Sequence, residues 1–392
     1  MNQNTGEARE VNANMSTNGH NNLDLLQLNL DVVRRKAGGK ILWQPRIGAW
    51  YRDRVFRGEE LPQPFTGMDV PGIYRELGCS HRLYNFFNLC IKRVNDHRVR
   101  AYSNKIDETL TEEVIETPVG KARKTVRSSV SSPGTRPVKW WVTQEEDFKV
   151  FQWLEEHCTW EFDYGLYEKN LGIYGDLGAP TVYLPRVSVQ HLYIDLMGVE
   201  AGVFALADYP ATVEKYFTAL YESHERLIGV INKCPVEIIN FGDNVHCGTL
   251  PPDLFKKYVQ PEYIKRNELL HKAGKFTHAH WDGDVKALLP YTTRCGFDGI
   301  EALTPKPQGD VTLREIRGYF DEKLFLIDGI SALLFEDSYP LEELEKQARE
   351  AIELFAPNLI LGISDEISSS GNLERIRFVG DIVDKYNNSL KS

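Results

Sequence analysis

The chain has 392 residues, of which 42% are hydrophobic and 26% charged, with 46 basic against 56 acidic side chains for a net charge of -10. That length admits two or three ordinary domains or one large α/β barrel, and the composition excludes a fibrous or wholly disordered protein. The acidic balance opposes a phosphate-neutralising surface, so nucleic acid is not an expected partner.

Residues 1–22 are rich in Asn, Gly, Ser and Thr and read as a disordered N-terminal tail, without the basic-then-apolar order of a secretion signal. From Leu23 the apolar spacing predicts a helix that ends at Gly38 and Gly39, then a strand at Ile41 to Trp43, and Pro71 and Gly78 bracket a short helix. Between about 99 and 142 the pattern alternates with turn signals between runs, which predicts an antiparallel β-rich insertion. Beyond Thr143 helical stretches alternate with strand candidates at 182–184, 236–241, 276–280, 299–303, 324–327 and 359–363. Repeated βα units of this kind are what a parallel barrel or a doubly wound sheet needs, and the polar residues that follow the strands favour a (β/α)8 TIM barrel over residues 23–392, with the insertion inside it. No segment holds about 18 uninterrupted apolar residues, so a membrane is not an expected partner. The six cysteines, at 79, 90, 158, 234, 247 and 295, form no Cys-x-x-Cys pair, which points to a reducing, cytoplasmic compartment.

Polar residues gather just after the predicted strands: Asp243, His278, His280, Glu301, Asp328 and Asp365. In a barrel the C-terminal strand ends build the active site. In K-F-T-H-A-H-W-D-G-D, His278 and His280 are two apart on a strand and share a face, and Glu301 ends the next strand 21 residues after His280. Two imidazoles and a carboxylate are a ligand set that suits zinc, while hydrogen-bonded or substrate-contacting histidines fit the same residues. Asp243 in F-G-D-N is a candidate catalytic acid/base or a loop cap. His246 and Cys247 read as loop residues or as ligands, Glu366 and Asp328 as supporting acids or solvated strand ends, and Tyr51, Trp140, Trp141 and Trp281 as an aromatic substrate wall or as core.

From about residue 38 to 390 the sequence resembles the uroporphyrinogen decarboxylase superfamily, in particular its methyltransferase-like branch. I-L-W-Q-P-R-I-G-A-W-Y (41–51) is similar to the family's N-terminal segment, with Trp43, Arg46 and Tyr51 on its Trp, first Arg and Tyr, and Trp50 in place of its second Arg. F-G-D-N, the run from 250 to 263, H-W-D-G-D, G-F-D-G-I-E-A-L-T-P and I-D-G-I follow in the family's order. The resemblance implies a (β/α)8 barrel, with Arg46, Trp50, Tyr51 and Trp281 as substrate-binding residues. Loss of the second Arg, and the lack of a Phe-Ser-Asp segment, argue against decarboxylation of uroporphyrinogen itself.

The corrinoid-dependent methyltransferases of that branch carry a His-x-Cys strand and a late Cys on zinc, and the cobalamin-independent methionine synthases look similar with a Glu between. On that pattern His278, His280, Glu301 and Asp365 become the implied metal ligands, with His280 and Asp365 replacing cysteines. Other members read His-Ser-Asp-Gly, which instead pairs His280 with catalytic Asp282, and the register stays open. Harder ligands leave zinc a stronger Lewis acid, suited to demethylation of an ether. The expectation is a metal-assisted methyltransferase that moves a methyl group from a small, methoxylated aromatic donor to the cobamide of a separate corrinoid protein, since no Asp-x-His-x-x-Gly motif occurs in the chain. Two rivals are a metal-independent decarboxylase or lyase, with Arg46 as carboxylate anchor and His280 as proton donor, and a non-catalytic tetrapyrrole- or corrinoid-binding barrel. The sequence is compatible with a homo-oligomer.

Overall fold

The computed structural model describes residues 24–390, so the tail expected at 1–22 lies outside the described residues. Seven parallel strands form the central sheet: β1 (Leu42–Trp43), β8 (Thr181–Leu184), β9 (Ile238–Val245), β10 (Phe276–Trp281), β11 (Gly299–Glu301), β12 (Phe325–Ser331) and β13 (Leu359–Ser364). Their order around the sheet is β1-β13-β12-β11-β10-β9-β8. Between β1 and β8 in the chain lie six antiparallel strands: β2 (Ile91–Val94), β3 (Arg100–Lys105), β4 (Leu110–Thr117), β5 (Gly120–Ser128), β6 (Thr135–Lys139) and β7 (Thr159–Phe162). β3 to β6 form a four-stranded meander, and β2 pairs with β7 at its base.

The period of two sorts the parallel strands into an inner and an outer face. Leu42, Ile238, Phe276, Phe325, Ile327 and Ile360 point inward and fill the N-terminal end, where Val32 and Val33 of the helix Leu25–Val33 cover them. Asp24 caps that helix through the backbone N–H of Gln27, and its Asn29 accepts from the N–H of Ala179 at 3.0 Å. The outward set, including Ile239, Phe241, Ala279, Trp281, Ile300, Leu326 and Leu361, packs beneath the surrounding helices. In Leu341–Phe355, for example, Leu344, Ala348, Ala351, Ile352 and Phe355 make one buried stripe of helical period. The N-terminal half of the barrel is thus filled mainly by apolar side chains, with Thr181 as a polar inward residue at the level of Ile238.

Seven strands, not eight, carry the parallel ladder, and the sheet does not close through it. The expected closed (β/α)8 ring is corrected at one position. The segment after Gly78 occupies the gap between β1 and β8: Ser80 N–H donates to the Trp43 carbonyl (3.0 Å) and His81 N–H to the Leu177 carbonyl (2.8 Å). Ser80 Oγ repeats the bridge, accepting from Gln44 Nε2 and donating to the Leu177 carbonyl, both at 3.0 Å. A regular strand is replaced here because the segment must also send the long Arg82 side chain into the barrel interior. Among the described residues no helix is long and apolar enough to cross a membrane.

Gly178 is required at this seam, since a Cβ there would lie 2.8 Å from both the His81 carbonyl oxygen and Ser80 Oγ. Gly178→Ala is expected to lower the urea midpoint by an amount equivalent to about 1–3 kcal/mol, the cost of overpacking a rigid site. Gly229→Ala, on the exposed face of the helix Pro210–Ile231 with open space around it, is expected to raise it by about 0.5–1 kcal/mol.

Candidate active site at the strand ends

The fully buried carboxylate of Glu301 is the centre of the C-terminal half of the barrel. Register fixes its neighbours: His280 on β10 stands directly beside Glu301 on β11, and His278 beside Asn240 on β9. His280 Nδ1 donates to Oε1 at 2.9 Å, and Asn240 Nδ2 donates to Oε2. Arg82 Nη1 sits 2.7 Å from Oε1 and His278 Nδ1 3.0 Å from Oε2. Neither meets hydrogen-bond geometry, so the guanidinium acts here through its charge rather than a directed bond. Arg46 Nη1 stands further off, 3.6 Å from Oε1.

Arg82 is shared. Its Nη2 donates to Asp328 Oδ1 at 2.7 Å and its Nε to Gln44 Oε1 at 3.2 Å. Arg46 in turn faces Asp365 at 3.5 Å and Glu366 at 3.4 Å, and Glu366 also receives Arg52 and the Ala49 backbone N–H. Burial disfavours the charge of Glu301, but Arg82 and the two histidines outweigh it and hold the carboxyl well below its usual range. Burial likewise disfavours the charged form of His280, yet the bond to Glu301 raises it above an ordinary imidazole. Burial raises Asp328 against the pull of Arg82, and raises Asp365 against Arg46.

Above this cluster opens a cavity of about 530 Å³, a size suited to a small ligand. His280, Arg46 and Asp365 line its inner end, and Tyr183, Leu184, Trp160 and Arg186 its walls. His280 keeps Nδ1 on Glu301 and has no partner for Nε2 among the described residues, which leaves that nitrogen for a ligand. The backbone is strained here: of five non-glycine residues with positive φ among those described, Asn244, Ala302 and Asp365 lie at the C-terminal ends of β9, β11 and β13, and Asp328 lies within β12. Such strain, costing of order 1–3 kcal/mol per residue, gathers where geometry serves function.

The other residues singled out from the sequence fall elsewhere. Trp281 follows His280 and points to the outer face, edge-on to Phe255 at 5.2 Å. Trp50 is core, with Nε1 on the Gly371 carbonyl at 3.0 Å, and half-buried Tyr51 packs against the same core. None of these three lines the cavity, whose aromatic walls are Trp160 and Tyr183. Strand alternation explains the exchange: an inward His280 makes an outward Trp281, and Tyr183 shares the inward set with Asn240. Asp243 also points outward, accepting from Val187 N–H and Tyr263 OH at 2.7 Å each, so both its oxygens are committed to structure. Asp282 lies just past β10, with Oδ1 buried and unpartnered, and adds to the upward shift of His280. Trp141 packs on Phe151, and His246 Nδ1 accepts from Gly248 N–H in a loop turn. Arg82, Gln44, Asn240 and Ser80 were not evident in the sequence. Nothing in C-S-H-R-L marks a residue that crosses a barrel.

As arranged, these residues do not fit zinc. Among the described residues no group of three or more His, Cys, Asp and Glu side chains is disposed to hold a metal ion. Both oxygens of Glu301 are taken by donors, both histidines turn Nδ1 toward it, and the buried Arg82 guanidinium lies 2.7 Å from Oε1. Asp365, 54% exposed, faces Arg46 instead.

Removing one member of a buried ion cluster leaves the others uncompensated, so Glu301→Gln is expected to cost about 3–5 kcal/mol. Glu301 is depressed in the fold, so its contribution is full above the unfolded value of about 4.3 and is lost as pH falls through the folded value. His280 is raised, so its contribution is full below about 6.5 and is lost as pH rises through its folded value. Urea denaturation at a series of pH values should show wild-type stability declining on both flanks, and in Glu301→Gln the alkaline decline should disappear, because burial alone then lowers His280 and its contribution is lost only as pH falls.

No family model matches the chain, and no curated protein matches it in sequence. In structure it is similar to a methyltransferase from Methanosarcina mazei, with a TM-score of 0.56 and 14% identity over 93% of this chain and 99% of that one. Weaker likenesses are to a protein described as a vitamin-B12-independent methionine synthase from Listeria monocytogenes (TM-score 0.35, 13% identity, 56% and 68% covered) and to 3-dehydroquinate dehydratase from Geobacillus kaustophilus (TM-score 0.27, 11%, 62% and 77%). At 14% identity the first likeness is one of fold, and it spans nearly the whole of both chains.

Proposed function

We propose that this chain is a methyltransferase that demethylates a small methoxylated donor, with His280 as the acid for the departing oxygen. The observation that carries this reading is the placement of His280, bound to Glu301 through Nδ1 and bordering the cavity beside Arg46. Breaking an O–CH3 bond leaves the electron pair on oxygen, and an alkoxide or phenoxide is a poor leaving group unless neutralised. A protonated His280 delivers its Nε2 proton to that oxygen and remains bonded to Glu301 as the neutral ring. The raised basicity of His280 keeps the proton available near neutral pH. Arg46 sets the charge at this end of the cavity and suits a donor that carries a carboxylate.

The fold of the Methanosarcina mazei methyltransferase supports methyl transfer as the class of reaction. The cavity has room for a small donor and not for a cobamide as well, so a corrinoid held on a separate protein and brought to the opening would supply the nucleophile that accepts the methyl group. No metal step is needed, because protonation does the work first expected of zinc. The lyase reading keeps one supporting observation, the same Arg46 beside the same acid, and is told apart by its product, carbon dioxide in place of the demethylated alcohol or phenol.

Demethylation of methoxylated benzoates in the presence of a reduced corrinoid protein is expected to fall by about 100-fold or more in His280→Gln, the usual contribution of a general acid. Activity should survive dialysis against chelator, with zinc far below one equivalent per chain by elemental analysis. Loss of activity on chelation and its return with zinc would overturn the mechanism.

A further inference from the structure

The outer end of the cavity holds a second group of polar side chains, Arg186, His191 and Asp195. His191 Nδ1 donates to Asp195 Oδ2 at 2.9 Å, and Arg186 Nη1 donates to Asp195 Oδ1 at 3.1 Å. The stretch Leu192–Met197 that carries Asp195 is wound as a π-helix, a form that recurs at functional sites. Among the described residues His191 has no partner at Nε2, and the Arg186 fork meets only Asp195 and, at 3.4 Å, Asn244 Oδ1. Trp160, Leu227 and Ile91 provide an apolar wall for the space between the two polar ends.

Residues 185–187 and the helical turn Ser188–His191 that follows them are held by hydrogen bonds to buried side chains. Asp243 accepts from Val187 N–H, and Glu262 accepts from both the N–H (3.0 Å) and Oγ (2.6 Å) of Ser188. Gln190 Nε2 donates to the carbonyls of Asp243 and Asn244, and Arg266 Nη1 donates to the Pro185 carbonyl at 2.9 Å. Three buried charged side chains, Asp243, Glu262 and Arg266, therefore hold this one segment. Buried charge is costly, and what the segment presents to the cavity is Arg186 and His191.

We propose that Arg186 and His191, with Asp195 fixing the ring, form a distal subsite that recognises a hydroxyl group on the substrate. With Nδ1–H given to Asp195, the imidazole offers the Nε2 lone pair as acceptor while Arg186 donates. A hydroxyl is the small group that satisfies both, since it donates one hydrogen bond and accepts others. A carboxylate would set its charge against Asp195 and a lone pair against His191. The ligand class is a small aromatic with an acceptor group near Arg46 and His280 and a hydroxyl at the far end, which rests on the proposed methoxylated donor for the inner end only.

Isothermal titration of the whole protein with 5-hydroxy-2-methoxybenzoate, whose hydroxyl stands para to the methoxy group, and with 2-methoxybenzoate tests this without turnover. The hydroxylated probe is expected to bind about tenfold tighter or more, the value of a good hydrogen bond to a charge-assisted pair. The ratio should fall to near one in His191→Phe, and also in Asp195→Asn, which keeps the packing but lets the ring carry its proton on Nε2 and so lose the acceptor. Circular dichroism establishes that each variant is folded. Equal binding of the two probes by the wild type, binding of neither at millimolar concentration, or a ratio that persists in both variants would overturn the subsite. Hydroxyl discrimination without demethylation would overturn the proposed reaction and leave the subsite standing, and demethylation without discrimination would do the reverse.

Discussion

A carboxylate with no exposure to water must be neutralised from within the protein, and the centre of this structure is the way Glu301 meets that demand. A lone buried charge is prohibitively costly, and even a paired one stabilises little against an apolar substitute of the same shape. Glu301 draws on β9 for Asn240, on β10 for His278 and His280, and on the irregular eighth position for Arg82. Each element must be in register for the cluster to form. The buried charge thus specifies one arrangement of the barrel rather than adding to its stability.

The same constraint explains the departure from an ideal barrel. Arg82 reaches Glu301 and Asp328 only because Cys79–Leu83 runs as an irregular bridge, with Gly178 leaving room for its backbone. Next to it, a second buried network, Asp243, Tyr263, Glu262 and Arg266, fixes the segment after β8. Both sets of buried charges point to the rim of the barrel, where the left-handed residues also gather. The N-terminal half, plugged by Val32 and Val33, carries packing alone.

Much of this could be read from the sequence, for reasons that follow from periodicity. The alternation in F-T-H-A-H-W places His278 and His280 on one face, and spacing to the next strand end brings Glu301 beside them. The antiparallel meander was legible from turn residues and alternation. Local pattern could not show which face of β10 is inward, and a residue such as Trp281, polar at one edge and apolar elsewhere, suits either. Nor could it show Arg82, whose segment has neither helical nor strand period and whose partners lie 219 and 246 residues away. Asp243 looked catalytic because it ends a strand, and only the packing of Tyr263 and Val187 reveals a structural acid. Three-dimensional pairing, which decides between a metal ligand and a hydrogen-bonded histidine, is carried by no local signal.

The central claim is that Glu301 keeps His280 protonated despite burial, and nitrogen-15 NMR of histidine-labelled protein tests it most directly. Titration of the His280 ring in the wild type should give a midpoint above the ordinary value of about 6.5, with Nδ1 protonated throughout. In Glu301→Gln, burial alone acts on the ring and the midpoint should fall below that value. A wild-type ring already neutral at pH 6.5, or a midpoint that does not move in the variant, would contradict the account.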